Sequence, residues 1–189
     1  MENSERLNPN ESLDIISDAI QKTKENIKEQ SFYYLLWGWL ASIAAIMNYI
    51  ILNFTDFTYH WLSWAILMPL GGIVTMVYSI KNNKQKSYET YLDVFLKYLW
   101  ISIGVSFILA VFISLILKIS PAIFVLLLAG IGTLISGLTM KFKPLILGGI
   151  LFFVFSLTSV FVDDSFKLLI FAIAITIGYL TPAYILKRH

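Results

Sequence analysis

The side chains best suited to chemistry in this chain are few, and their spacing keeps them apart. His60 precedes the second apolar stretch and His189 is the last residue, so the two cannot converge on one metal or complete a triad. The Asp163-Asp164 pair, with Asp56 elsewhere, has charge enough to draw a cation, but its place between two apolar runs predicts a solvated turn. Lys97 follows Asp93 by four residues, the spacing of an ion pair on one helix face with a snorkelling lysine. Hydroxyls recur at Ser42, Thr75, Ser102, Ser106, Thr133, Ser136, Ser156, Thr158, Ser159 and Thr176. No base accompanies any of them, so backbone or neighbour hydrogen bonds are their expected role. The chain has no cysteine, which excludes disulfides, thiolate metal sites and cysteine nucleophiles. The expectation is a protein that is not an enzyme and holds no metal or cofactor. A net charge of only +2 gives no reason to expect a nucleic-acid partner.

The elements that would position these groups are six apolar stretches, about 32–54, 61–80, 94–117, 121–140, 144–162 and 166–186. Each is near the ~20 residues that a bilayer-spanning helix needs. With 58% hydrophobic residues and 14% charged residues, the chain is too apolar for a soluble domain. Its 14 basic residues alternate between the connections: only Lys118 and Lys167 fall in the odd-numbered ones, Lys97 sits just inside the third stretch, and the rest belong to the two ends or to the even-numbered loops. That bias predicts cytoplasmic N- and C-termini. The first apolar run follows some thirty mixed-charge residues and lacks a small-residue cleavage site, so it reads as a retained span and not a secretory signal.

Residues 1–30 are expected to form a cytoplasmic amphipathic arm, and residues 31–189 a six-helix membrane domain. Asn8-Pro9-Asn10-Glu11 reads as a helix start, with Asn8 as N-cap and Pro9 in the first helical position. Leu13, Ile16, Ile20 and Ile27 then recur at helical spacing and make a candidate association face. Lying on the bilayer is the competing role, but the stripe lacks bulky anchors and a net basic polar face. Its expected partner is a second copy of the chain or another membrane or cytoplasmic protein; the lipid bilayer surrounds the rest.

Within the spans, aromatics cluster where headgroups would lie: Phe32, Tyr33, Tyr34, Trp37 and Trp39; Tyr59, Trp61 and Trp64; Tyr88, Tyr91, Tyr98 and Trp100. Small residues recur every four positions, as in Ala129, Thr133 and Gly137, Ala41 and Ala45, or Ala174 and Gly178, which predicts packing seams. Asn48 is the one strongly polar side chain well inside a span. Pro69 before Leu70-Gly71-Gly72 predicts a kink or local unwinding, with Pro182 as a second such point. If a neutral cavity exists, Asn48, Gly71, Gly72, Thr75, Gly132 and Thr133 are the candidates to line it. The run Gly72, Thr75, Tyr78, Lys81 is echoed by Gly178, Thr181, Tyr184, Lys187, and in part by Gly132, Thr139, Lys141. The echo suggests three parallel helical hairpins.

The strings SFYYLLWGWL, ILMPLGGI, GIGTLISGLTMKFKPLILGGI and GYLTPAYILK resemble those of a bacterial family of small multi-pass inner-membrane proteins with no assigned activity. The resemblance implies a bacterial cytoplasmic-membrane setting and carries no catalytic residue. The expected function is that of a non-enzymatic scaffold, regulatory or accessory subunit acting by helix association. The alternative is a small transporter, channel or lipid-binding protein with a neutral cavity near the Pro-Gly segment.

Overall fold

A chain segment surrounded by hydrocarbon must satisfy its backbone within itself, and a helix does so. The computed structural model describes residues 9–83 and 90–188, with helices joined by short turns. They are α1 (Pro9–Phe54), α2 (Leu62–Asn83), α3 (Tyr91–Leu117), α4 (Ala122–Thr139), α5 (Lys143–Ser159) and α6 (Asp164–Ile175), which runs through a π-helical turn (Thr176–Leu180) into α7 (Thr181–Arg188). Asn8, Lys84, Lys86, Tyr88 and His189 lie outside the described residues. Five helical stretches are long and apolar enough to cross a membrane: Glu29–Phe54, Leu62–Lys81, Tyr91–Leu117, Ala122–Thr139 and Phe166–Arg188. Lys143–Ser159 is apolar but shorter, so the fifth expected stretch closes three residues early, where Val160 and Phe161 form a turn. This is an all-α, multi-pass membrane protein.

The first span and the arm are not separate elements. Helix α1 is unbroken from Pro9, where the described residues begin, to Phe54. Elsewhere the helix ends follow local chemistry. Thr90 and Asp93 close a capping box at the start of α3, with Asp93 N–H donating to Thr90 Oγ1 and Thr90 N–H to Asp93 Oδ2, both at 3.2 Å. Helices α3 and α4 both end on a lysine in the left-handed region, Lys118 (φ 55°) and Lys141 (φ 53°). The residue after each bonds back to a last-turn carbonyl: Ile119 N–H to Ser114 at 3.0 Å and Phe142 N–H to Gly137 at 2.9 Å. Pro144 then sits in the first turn of α5, as expected.

Helix α4 packs most closely on α5, and α1 on α6; α2 rests chiefly on α1 and α3 on α4. Lipid offers no apolar driving force between helices, so close backbone approach has to supply the attraction. Glycine permits it here. A Cβ on Gly137 would lie 2.6 Å from the Ile146 backbone nitrogen, and one on Gly149 2.6 Å from that of Leu134. Across the α5–α6 contact, a Cβ on Gly148 would overlap the Gly178 carbonyl oxygen. Ala129, Thr133 and Gly137 are all buried, in keeping with a packing seam.

The π-helical turn has an identifiable cause. Pro182 has no N–H for the Gly178 carbonyl four residues back, and its ring crowds that oxygen. The turn before it takes an extra residue, and the Thr176 carbonyl accepts both the Thr181 N–H and the Thr181 hydroxyl, the latter at 3.0 Å. Pro69, by contrast, is accommodated within a continuous α2.

The glycines of the suspected repeat make unlike contacts. Gly72 faces open space, Gly132 meets Ile103 and Trp100, and Gly178 meets Gly148 and Phe152. The echo in sequence therefore carries no shared packing role for its glycine.

Gly149→Ala should destabilise the protein by about 1–3 kcal/mol, the usual cost of overpacking. Gly72→Ala, which meets nothing, should be neutral or slightly stabilising. Thermal unfolding of the two variants in one detergent checks the contrast.

Candidate functional site: unpartnered hydroxyls at an aromatic crossing

Serine and threonine in membrane helices ordinarily bond to a carbonyl one turn back. Several here do so: Ser106 to Ser102 at 2.9 Å, Thr139 to Ile135 at 2.8 Å, Ser159 to Phe155 at 2.7 Å and Thr176 to Ala172 at 2.8 Å. Others tie two helices together, Ser156 to the Ile123 carbonyl (2.8 Å) and Ser63 to that of Ala44 (3.2 Å). Against this pattern, the hydroxyls of Tyr34, Ser42, Ser114, Thr133 and Ser136 are buried without a hydrogen-bond partner.

Three of the five belong to one neighbourhood. Thr133 and Ser136 are three residues apart on α4, hence on one face, and both are 0% exposed. Tyr34 enters from α1 at 1% exposure, its hydroxyl beside Ser136 and Trp100 but in bonding geometry with neither. Its ring meets Trp100 of α3 edge-on at 6.0 Å and Tyr179 at 5.1 Å. Tyr179 also meets Trp100 at 6.2 Å and Phe152 of α5 at 6.1 Å. Edge-to-face geometry suits the ring quadrupoles and closes the crossing without stacking. The π-helical turn before Pro182 carries Tyr179. Gly132 leaves the space that Ile103 and Trp100 fill; a Cβ there would come within 2.5 Å of one and 3.0 Å of the other.

The chemistry available at the crossing is neutral. Hydroxyls both donate and accept and the indole N–H only donates, so the set suits a water molecule or a neutral polar group. No carboxylate, imidazole or amine takes part in the ring contacts that enclose it. Among the described residues no group of three His, Asp or Glu side chains is placed to hold a metal.

The candidate cavity residues from the sequence do not share one space. Asn48 belongs to a network at the far end of the α1–α2 pair. The Trp64 indole can only donate, so Asn48 turns its carbonyl oxygen to it (3.0 Å). The Asn48 amide nitrogen then donates to the His60 carbonyl (3.1 Å) and to His60 Nδ1 (2.8 Å), which leaves the imidazole proton on Nε2. Thr75 accepts from the Trp37 indole at 3.1 Å, Gly71 is filled by Leu40 and Trp37, and Gly72 looks outward. Only Gly132 and Thr133 reach the aromatic crossing. On the proposed association face, Leu13 is exposed; the side chains of Ile16, Ile20 and Ile27 lie outside the described residues. Asp163 and Asp164 are exposed at the start of α6, and Asp164 accepts from Lys167 at 2.6 Å.

Sequence reasoning missed the centre of the site. Tyr34 and Trp100 read as interface aromatics, whereas Tyr34 is interior and Phe32 stacks on Tyr78 at 3.8 Å. The available signal was Pro182, which demands an irregularity in the turn before it.

Two polar residues of α1 should respond oppositely to removal. Tyr34→Phe deletes a hydroxyl with no partner and should raise stability by about 1 kcal/mol, whereas Asn48→Leu strands the Trp64 N–H, leaves the His60 carbonyl only the Ser63 hydroxyl, and should lower it by about as much. Unfolding in mixed micelles gives both signs; a loss on Tyr34→Phe would show that the hydroxyl holds something in solution.

Comparisons with known protein families, with curated proteins and with solved structures find no match to this chain. The resemblance carried by its sequence strings has no counterpart among them. What holds is the coarser class, an integral multi-pass membrane protein with five long apolar helices.

Proposed function

We propose that the chain is a non-enzymatic accessory or regulatory subunit of a bacterial cytoplasmic membrane, working through association at its N-terminal arm. The continuity of α1 carries this reading: one helix holds both the arm and a membrane span, so a partner seated on the arm is mechanically joined to the bundle. The outer helices add support. Helices α2 and α3 each lean mainly on one neighbour and turn wide apolar faces outward, including Ile66, Ile73 and Val77 on one and Ile101, Ile108 and Phe112 on the other. Such faces meet lipid or another apolar helix equally well.

In this reading α5 is the sixth span. At 17 residues it is about 25 Å long, the short end of the spanning range. An even number of crossings returns both termini to one side, and the basic residues assign that side to the cytoplasm. Three parallel hairpins are part of this reading: α1–α2, α3–α4 and α5–α6 are each in contact, while the closest packing, α4 on α5, joins one hairpin to the next. A second reading, a site for a small neutral solute or lipid group, is favoured by one observation, the unpartnered hydroxyls of Tyr34, Thr133 and Ser136.

Replacing Ile16 and Ile20 together by aspartate should abolish cross-linking of the arm to its partner while leaving membrane insertion intact. An unchanged cross-linking profile would remove the association reading. Because the chain has no cysteine, Ser4→Cys and Asp163→Cys each introduce a unique thiol. A membrane-impermeant maleimide applied to intact cells should label Asp163→Cys and spare Ser4→Cys; the reverse would overturn the orientation.

A further inference from the structure

On the outward face of α7, whose opposite face is buried in the bundle, a surface groove of about 240 Å³ is lined by Thr181, Tyr184, Ile185 and Arg188. We infer that this groove binds the phosphate of a membrane phospholipid, with an acyl chain lying against α1 and α6 beneath it. The inference goes beyond the association proposed above and does not depend on it.

The donors are arranged for an anion. The Trp39 indole donates to the Tyr184 hydroxyl oxygen at 3.0 Å. Because the indole has no acceptor to offer in return, the Tyr184 O–H proton stays available for a second group. Arg188 stands four residues further along the same helix face, one turn nearer the end of a long apolar stretch, which is headgroup depth. A guanidinium there offers several N–H groups in the planar fork that suits phosphate oxygens. Lys187 is exposed beside it and adds a second positive charge. These cations also offset the negative end of the helix dipole, which would otherwise repel an anion. The Thr181 proton is taken by the Thr176 carbonyl, so the Thr181 oxygen lends polarity without a further donor.

The surface beneath is apolar. Ile43 lies one turn deeper than Trp39 on α1, Ile177 precedes the groove on the α6 side, and both are exposed. The Trp39–Tyr184 bond joins α1 to α7 at the groove itself, so an oxyanion recognised there leads onto hydrocarbon and not onto water. That continuity favours a phospholipid over free phosphate as the occupant.

The test uses the full chain, delipidated in detergent and followed by native mass spectrometry. Phosphatidylglycerol should be retained as an adduct, and diacylglycerol with the same acyl chains should not. Inorganic phosphate at millimolar concentration should neither form the adduct nor displace the lipid. Arg188→Gln should lower retained phosphatidylglycerol about tenfold, and Tyr184→Phe several-fold. Trp39→Phe should reproduce part of the Tyr184→Phe loss by freeing the hydroxyl to turn away. Arg188 and Tyr184 are surface residues, and circular dichroism melts of the variants confirm that they stay folded. Equal retention of diacylglycerol, unchanged retention by Arg188→Gln, or displacement by phosphate alone would each overturn the assignment.

Discussion

The close passage of α4, α5 and the α6 turn, backbone against backbone, is what the remaining packing depends on. Lipid rewards no burial of leucine against leucine, so cohesion has to come from contacts too short for a side chain to intervene. Gly137, Gly148 and Gly149 make them, and the Gly148 approach to the Gly178 carbonyl joins this pair to the last span. Helix α1 then lies along α6, and α2 and α3 are added at the margins. The margins are accordingly the least buried parts of the membrane domain, at 11% and 17% of their apolar windows, against 44% for α4. Cohesion in this bundle falls from the glycine seam outward.

The polar groups follow a related logic. Where two helices present complementary partners, the bonds are made: Asn48 with His60 and Trp64, Trp37 with Thr75, Ser156 with the Ile123 carbonyl. Such bonds give direction to packing that dispersion alone leaves loosely specified. The aromatic crossing departs from the rule, with its hydroxyls enclosed but unengaged. It lies beside the π-helical turn, the one irregular stretch among the described helices, so backbone and side-chain departures from the norm coincide.

Much of the architecture was legible because it rests on composition. Length and hydropathy located the long helices, Pro144 located a helix start, and Ser106, Thr158, Ser159 and Thr176 took local carbonyl bonds, whereas Ser42, Thr133 and Ser136 did not. The interior was less legible, because a sequence shows which residues are small without showing what passes beside them. Gly72 and Gly148 look alike as letters; one faces empty space and the other a carbonyl. Tyr34 shares its segment with exposed Trp39, and only the approach of α3 and the displaced Tyr179 separates their roles. The arm–span boundary drawn at residue 30 reflected a change in polarity, which the backbone of α1 passes through without interruption.

That uninterrupted backbone also makes α1 a torsional reference. A straight α-helix turns by about 100° per residue, so positions seven apart differ by only about 20° in azimuth. Counting back from Asn48 by sevens gives positions 41, 34, 27, 20 and 13, a row that begins on bundle contacts, ends in the arm and drifts by about 100° over its five steps. A deletion or insertion of one residue near position 29 would preserve the helical backbone and swing the arm about a quarter-turn around the helix axis. The angular heading of the arm over the membrane is therefore set by the bundle, and residue count in this region acts as a phase.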